Sequence, residues 1–273
     1  MKKIGLFLLL IGLMTACKDS IEEQAQVHFQ LASQAYAKGA YDVARSEVDS
    51  IRLLYPRAIQ TRKEALQLRL EIDLAEGQQA VEEADKVIQK KTDLVDRLKG
   101  KMILEPQHGT VGNYVSPAQT VDKIGHNMLR AHVTEQGLLT LTSIYVGKMG
   151  HRSVRVTSAD GKSIQTTSST AHFMSESHGK ELEENVFSND HETGVCAFIS
   201  EHAGQEIKVT FIAPDQSKTI VLSSEDVNAI VAIYDLYSQM TVLNDARVKY
   251  ADACQKVKFI HQKMEGQATA EED

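Results

Sequence analysis

Between Ile21 and about Gly100 the apolar residues recur at helical intervals, and only one proline, Pro56, interrupts them. Leu31-Ala32, Ala35-Tyr36, Gly39, Tyr41, Ala44, Val48, Ile51 and Tyr55-Pro56 follow the spacing of a helix, a turn and a second helix. From Ala80 to Lys99, Val81, Ala84, Ile88, Val95 and Leu98 keep an alternating three-four spacing that Lys91 breaks, with charged residues elsewhere. That is the seam of a two-stranded coiled coil or of a bundle helix. A second long helix opens at Ser223-Ser224-Glu225-Asp226, where Ser223 and Asp226 match a capping box and the acids suit a helix N-terminus. Its stripe runs through Ile230, Tyr234, Tyr237, Met240, Leu243, Tyr250, Cys254, Val257, Ile260 and Met264. From Gly266 to Asp273 the chain is small and acidic, which predicts a disordered tail.

The middle of the chain, from Met102 to Leu222, has strand character. Leu138 to Val146 is β-branched and partly alternating, Gly147 to Gly150 predicts a turn, and Ser153 to Thr157 is expected to pair back on it. Asp160-Gly161 is a two-residue hairpin signal leading into Ser163 to Thr166. Further strand-like runs are Gly194 to Ile199, Glu206 to Ile212 and Thr219 to Leu222, with turns at Ala203-Gly204 and Pro214-Asp215. Ser168 to Glu192 has little strand character and is expected to be a long loop with a helical turn. Short strands with no helices between them argue for an antiparallel sandwich or barrel.

The pattern therefore predicts an α+β protein: an N-terminal helical hairpin, two long antiparallel helices forming a coiled-coil-like stalk, and an inserted antiparallel β-sandwich or barrel domain. The expected segments are 1–16, 17–24, 25–101, 102–222, 223–265 pairing with 62–100, and the tail 266–273. A helix of about 35 residues reaches roughly 50 Å at 1.5 Å per residue. The alternative to a stalk is two helices that wrap the core of one compact domain.

The first segment adds an address. Met1-Lys2-Lys3 is basic, Ile4 to Met14 is apolar but too short to span a bilayer, and Thr15-Ala16-Cys17 follows. Residues 1–16 thus read as a secretory signal peptide. Leu13-Met14-Thr15-Ala16-Cys17 resembles the lipobox of bacterial lipoproteins, which implies acylation of Cys17 as the mature N-terminus. Three acyl chains, at about 0.8 kcal/mol per buried methylene, make such an anchor effectively permanent. Lys18 rather than Asp after the cysteine resembles the outer-membrane address of these proteins, and Lys18-Asp19 with Glu22 and Glu23 resembles the charged tethers of surface-exported Bacteroidetes lipoproteins. The expected place is the outer membrane, lipid-anchored, facing either the periplasm or the outside. Of the other two cysteines, Cys196 is expected on a strand and Cys254 on a helix, both as buried thiols, with a disulfide between them in an oxidising envelope as the alternative.

The helical hairpin also resembles a known family. Gly39, Tyr41, Ala44 and Pro56 fall where the tetratricopeptide repeat has its turn glycine, aromatic, small packing residue and closing proline. His28 and Ala32 stand where that family has a Trp and a Gly, and no second copy follows in register. The resemblance covers roughly 34 residues. It implies a groove that takes a peptide or helix, with Tyr36, Tyr41 and Tyr55 as its partner-binding residues.

Composition narrows the function by exclusion. A formal charge of −7 offers no Lys and Arg excess for phosphates, so no nucleic acid is expected as partner. The chain has no Gly-rich phosphate loop, no G-x-S-x-G and no C-x-x-C, and Val195 stands where a zinc-protease helix started by His191-Glu192 needs its second histidine. Eight of the ten histidines lie between His108 and His202. His172, His178, His191 and His202 are the candidate metal ligands among them, with scattered surface histidines as the plainer reading. Glu183-Glu184 is a carboxylate pair that nothing in the sequence holds across a substrate. No catalytic residue and no cofactor are expected. The expected function is a membrane-anchored, non-enzymatic scaffold or adaptor for an envelope protein, with a homodimer permitted by the long seams. A lipoprotein capturing a glycan or host molecule through its β domain, and a metal-dependent enzyme using the histidine-rich segment, are the alternatives.

Overall fold

The computed structural model describes the backbone of residues 4–106 and 111–272, and the side chains of 21–106, 111–188 and 190–266. The protein is α+β, with five α-helices and two antiparallel sheets among the described residues. It divides into two compact units, one of residues 1–86 and 246–273, the other of residues 87–245.

The first unit is helical. Helix α1 (Ile4–Ala37) is followed by α2 (Tyr41–Leu54), α3 (Ile59–Lys99) and, much later in the chain, the end of α5 (Ser224–Glu272). Segments 4–16 and 17–24 are one continuous part of α1, and the side chain of Cys17 lies outside the described residues. Helix α5 continues to Glu272, whereas the sequence predicts a tail from Gly266. The α1–α2 turn closes by two bonds, from Ala40 N to Ala35 O at 2.9 Å and from Gly39 N to Tyr36 O at 2.9 Å. Gly39 takes a φ of +71° there, which is the left-handed residue this kind of helix end requires. Tyr55, next to Pro56, leaves the helical region and ends α2. The core is thin and rich in alanine: Ala25, Ala32, Ala35, Ala44, Ala58 and Ala65 alternate with Val48, Ile51, Leu68 and Ile72.

Helices α3 and α5 run antiparallel. Lys256 lies 3.9 Å from Glu76 in the first unit, and Lys91 Nζ donates to Gln239 Oε1 at 2.6 Å in the second. Gly77 lies against α5, where an added Cβ would sit 2.8 Å from Val257 Cγ2. Valine in a helix has essentially one rotamer and cannot turn away. Gly77→Ala should therefore destabilise the chain by about 1 kcal/mol or more through the clash. In a Val257→Ala background the same change should instead stabilise it by a few tenths to about 1 kcal/mol, because only the helix-propensity gain remains. Urea denaturation of the four chains of this cycle measures the change of sign.

The second unit is the β unit, and its boundaries correct the expected ones. Its strands are β1 (Ile103–Glu105), β2 (Asn113–Val115), β3 (Met128–Thr134), β4 (Leu139–Val146), β5 (Ser153–Ser158), β6 (Ser163–Gln165), β7 (Ala171–Ser177), β8 (Lys180–Ser188), β9 (Ile207–Ile212) and β10 (Ser217–Val221). One sheet has the order β1-β2-β3-β4-β8-β7 and the other β10-β9-β5-β6, with every pair antiparallel. Leu129, Ala131, Val133, Leu141 and Phe187 of the first sheet share one core with Val154, Val156, Val209 and Phe211 of the second. This is a sandwich. Val95 and Leu98 of α3 and Ile230, Ile233, Leu236, Met240 and Leu243 of α5 are buried in the same core. The stretches 87–99 and 224–245 thus belong to the β unit, because their apolar stripes have its sheets to cover.

Three local expectations fail for identifiable reasons. Strand β5 does not pair back on β4; it crosses to the second sheet and lies between β9 and β6. The expected loop over Ser168–Glu192 holds β7, β8 and a 3-10 turn (Asn189–Glu192). The polarity of β7 is that of an edge strand, and the β7–β8 hairpin turn uses His178 and Gly179 at φ of +51° and +70° rather than an Asn-Gly signal. The expected strand Gly194–Ile199 is instead helix α4 (Val195–Glu201). The Glu192 carboxylate accepts the backbone N–H groups of Gly194 and Cys196 and so caps it.

Candidate functional site

The tyrosines expected to bind a partner face inward. Tyr36, Tyr41 and Tyr55 pack as half-buried side chains against the alanine-rich core. The Tyr36 and Tyr41 rings lie 6.1 Å apart, and Tyr55 lies 5.5 Å from the ring of His28. Burial, and after it the charge of Glu71, pushes the Tyr36 phenol up. Each thus contributes part of its ring to the hairpin core, and Tyr41 also lines a shallow surface pocket with Asp42, Glu76 and Glu83.

The four candidate metal ligands are dispersed over separate partners. His178 approaches Ile124 O, His191 lies 2.9 Å from Ser168 O, and His202 lies 2.8 Å from Phe198 O while stacking on the Phe198 ring. Only His172 meets another titratable group, at 3.4 Å from Glu183. Among the described residues no group of three or more His, Cys, Asp or Glu is placed to hold a metal ion. Cys196 and Cys254 are free, one buried and one half-buried, and burial pushes the Cys196 thiol well up. The Cys196 thiol is therefore not an activated nucleophile.

Glu183 does belong to a buried polar cluster. Strand β4 turns Ser143 inward, β8 supplies Glu183 and Asn185, and the segment after β4 carries His151. Ser143 Oγ stands 2.7 Å from His151 Nε2, and His151 Nδ1 stands 3.0 Å from Glu183 Oε1. Asn185 Nδ2 is 3.2 Å from the same Nε2, which makes Nε2 an acceptor and leaves the ring proton on Nδ1, facing the carboxylate. Burial pulls His151 below the ordinary imidazole range and keeps it neutral. Burial would push Glu183 up, but the backbone N–H groups of Met149 and Gly150 together with His151 and His172 hold it below the usual carboxylate range. The order hydroxyl, imidazole, carboxylate is that of a nucleophile chain. Ser143, His151 and Glu183 are each 0% exposed, however, so no substrate or water reaches the hydroxyl. The cluster links β4 and β8 to the segment that crosses from one sheet to the other.

The surface of the helical unit offers a different kind of site. Between α2 and α3 lies a groove of about 560 Å3 whose apolar wall is Val48, Ile51, Ile59, Ala65 and Leu66. Ile59 and Leu66 are more than half exposed, although aliphatic side chains at these positions have no need of water. Arg52, Arg62, Lys63 and Arg69 surround them, against one acid, Asp49. Arg69 is tied to Asp49 at 3.1 Å, and Arg62 donates to Pro56 O at 2.8 Å, so both guanidinium groups are fixed in place. Residues 48–69 carry five basic and two acidic side chains, net +3, in a chain of formal charge −7. The sequence stripe predicts the apolar wall but not its exposure. The charge reversal over these residues was the available signal. Comparison with protein families, with curated proteins and with solved structures finds no match for this chain.

Proposed function

We propose that the chain is a lipid-anchored protein of the bacterial outer membrane that works without catalysis, as an adaptor for another envelope protein. The observation that carries the adaptor reading is the α2–α3 groove, an exposed apolar wall with a basic surround in an otherwise acidic chain. Its chemistry suits an amphipathic helix whose apolar stripe lies on Ile59 and Leu66 and whose acids meet Arg52, Arg62 and Lys63. The anchor rests on the lipobox-like Leu13 to Cys17, and the outer-membrane address on Lys18. No described helix is long and apolar enough to cross a membrane.

The test uses the full chain in cells. A photo-crosslinking side chain at Leu66 should give an adduct of defined mass with an envelope protein, and Ile59→Glu should abolish that adduct. Cys17→Ala should shift the chain out of the membrane fraction. Crosslinks confined to the β unit, with none from Leu66, would sink the adaptor reading, and a Cys17→Ala chain still in the membrane fraction would sink the anchor.

A further inference from the structure

A second concavity, of about 710 Å3, lies in the β unit, where the turn at Gly137, the start of α4 and the Tyr234–Asp245 stretch of α5 come together. Pockets of roughly 300–1,000 Å3 hold small organic ligands. Tyr234 and Tyr237, three residues apart on α5, bring two half-buried rings to its wall, with centroids 6.0 Å apart and planes tilted by 41°. The charged side chains of the lining are all acidic: Asp190, Glu192 and Asp245, with no Lys, Arg or His. Glu192 is 8% exposed and is held by the N–H groups at the start of α4, so its charge is fixed in the wall. Asp190 and Asp245 are exposed at the rim, and no described residue forms an ion pair with either. Asn244 adds an amide beside them.

These parts select one ligand chemistry. Aromatic faces attract cations, by about 0.5–2 kcal/mol according to how far the site is desolvated. Three carboxylates without a counter-charge repel anions, and a wholly apolar ligand would strip water from them without repayment. Burial, followed by Tyr237 and Glu192, pushes the Tyr234 phenol up, in keeping with a negative surround.

We propose that this pocket binds a small organic cation, an alkylammonium or guanidinium on a short carbon frame, lying against Tyr234 and Tyr237 and paired with Asp190 and Asp245. The site is independent of the α2–α3 groove and stands or falls separately from the adaptor reading.

The probes are arginine amide, its neutral isostere citrulline amide, and an arginine-containing tripeptide amide, titrated calorimetrically into the full chain. Arginine amide should bind with saturation and citrulline amide at least about tenfold more weakly, since losing the charge removes both the carboxylate pairing and the cation–π attraction. Asp190→Asn and Asp245→Asn, both at exposed positions, should each weaken arginine amide roughly three- to tenfold, while Tyr237→Phe should leave it within about twofold. Tighter binding of the tripeptide than of arginine amide assigns the cation to a protein side chain, and equal binding assigns it to a free small molecule; both outcomes uphold the site. Equal affinity for arginine and citrulline amides, indifference to both Asp→Asn changes, or no saturation at millimolar concentration overturns it.

Discussion

Replacing Glu183 by Ala is expected to cost the β unit about 2–5 kcal/mol, roughly 1–3 for each of the two backbone N–H groups it leaves without an acceptor. Glu183 Oε2 accepts Met149 N at 2.6 Å and Gly150 N at 2.8 Å, and Oε1 faces His151 and His172. Alanine leaves the backbone N–H groups of Met149 and Gly150 with no acceptor, at the position of a fully buried carboxylate. It also frees the segment that carries the chain from β4 in one sheet to β5 in the other. Glu183→Gln keeps an acceptor oxygen for those N–H groups and should cost roughly half as much or less. Urea denaturation followed by circular dichroism reads both values, since the chain has no Trp to report by fluorescence. A loss under about 1 kcal/mol for Glu183→Ala would mean that the cluster does not hold the crossing.

Asp226→Ala is expected to cost about 2–4 kcal/mol, summed over the side-chain bonds it loses to Gln119, Ser223 and His126, while its backbone N–H keeps the cap on Ser223 Oγ. Asp226 is 3% exposed. It accepts from Gln119 Nε2 at 3.0 Å and from Ser223 Oγ at 2.7 Å, faces His126 Nε2 at 3.0 Å, and donates its own N–H to Ser223 Oγ at 3.0 Å. The N-terminus of α5 is thereby tied to Gln119, which also donates to Leu129 O at 2.8 Å on β3. Hydrogen exchange should show the loss as faster exchange at Val227 and along β3, while the amides of α1 and α2 keep their protection. Uniform acceleration over the whole chain would mean that Asp226 acts on global stability and not on this junction.

The Ser223–Asp226 box was legible because its mechanism is local: a side chain reaches a backbone N–H three residues away, and sequence spacing alone sets that distance. Gly39 was legible for the same reason, as was the β5–β6 hairpin at Asp160-Gly161, which pairs Arg155 with Gln165. What the sequence hid is non-local. Nothing near Ser153 says that β5 will lie against β9, some fifty residues on, in preference to β4 next to it. Helix α4 was mistaken for a strand because Val195, Cys196 and Ile199 are apolar in either state; its cap, Glu192, acts through the left-handed residues Thr193 and Gly194. His151 carries no motif, since its partners Ser143 and Glu183 sit on two different strands. Tyr36, Tyr41 and Tyr55 lie half-buried against the hairpin core, while the exposed groove is built by residues 48–69, whose shared positive charge is legible in the sequence.

The alanine-rich interior of the helical unit gives the two halves of this protein opposite tolerances to inherited change. Where α1, α2 and α3 meet over Ala32, Ala44 and Ala65, the backbones are close and there is little side chain to remove. Damage there comes from substitutions that enlarge a residue, which have no space to occupy. In the sandwich, filled by Phe187, Phe211 and Leu141, damage comes from substitutions that shrink one and leave a void. Chains descended from a common ancestor with this fold should therefore hold residue size fixed from above in one unit and from below in the other.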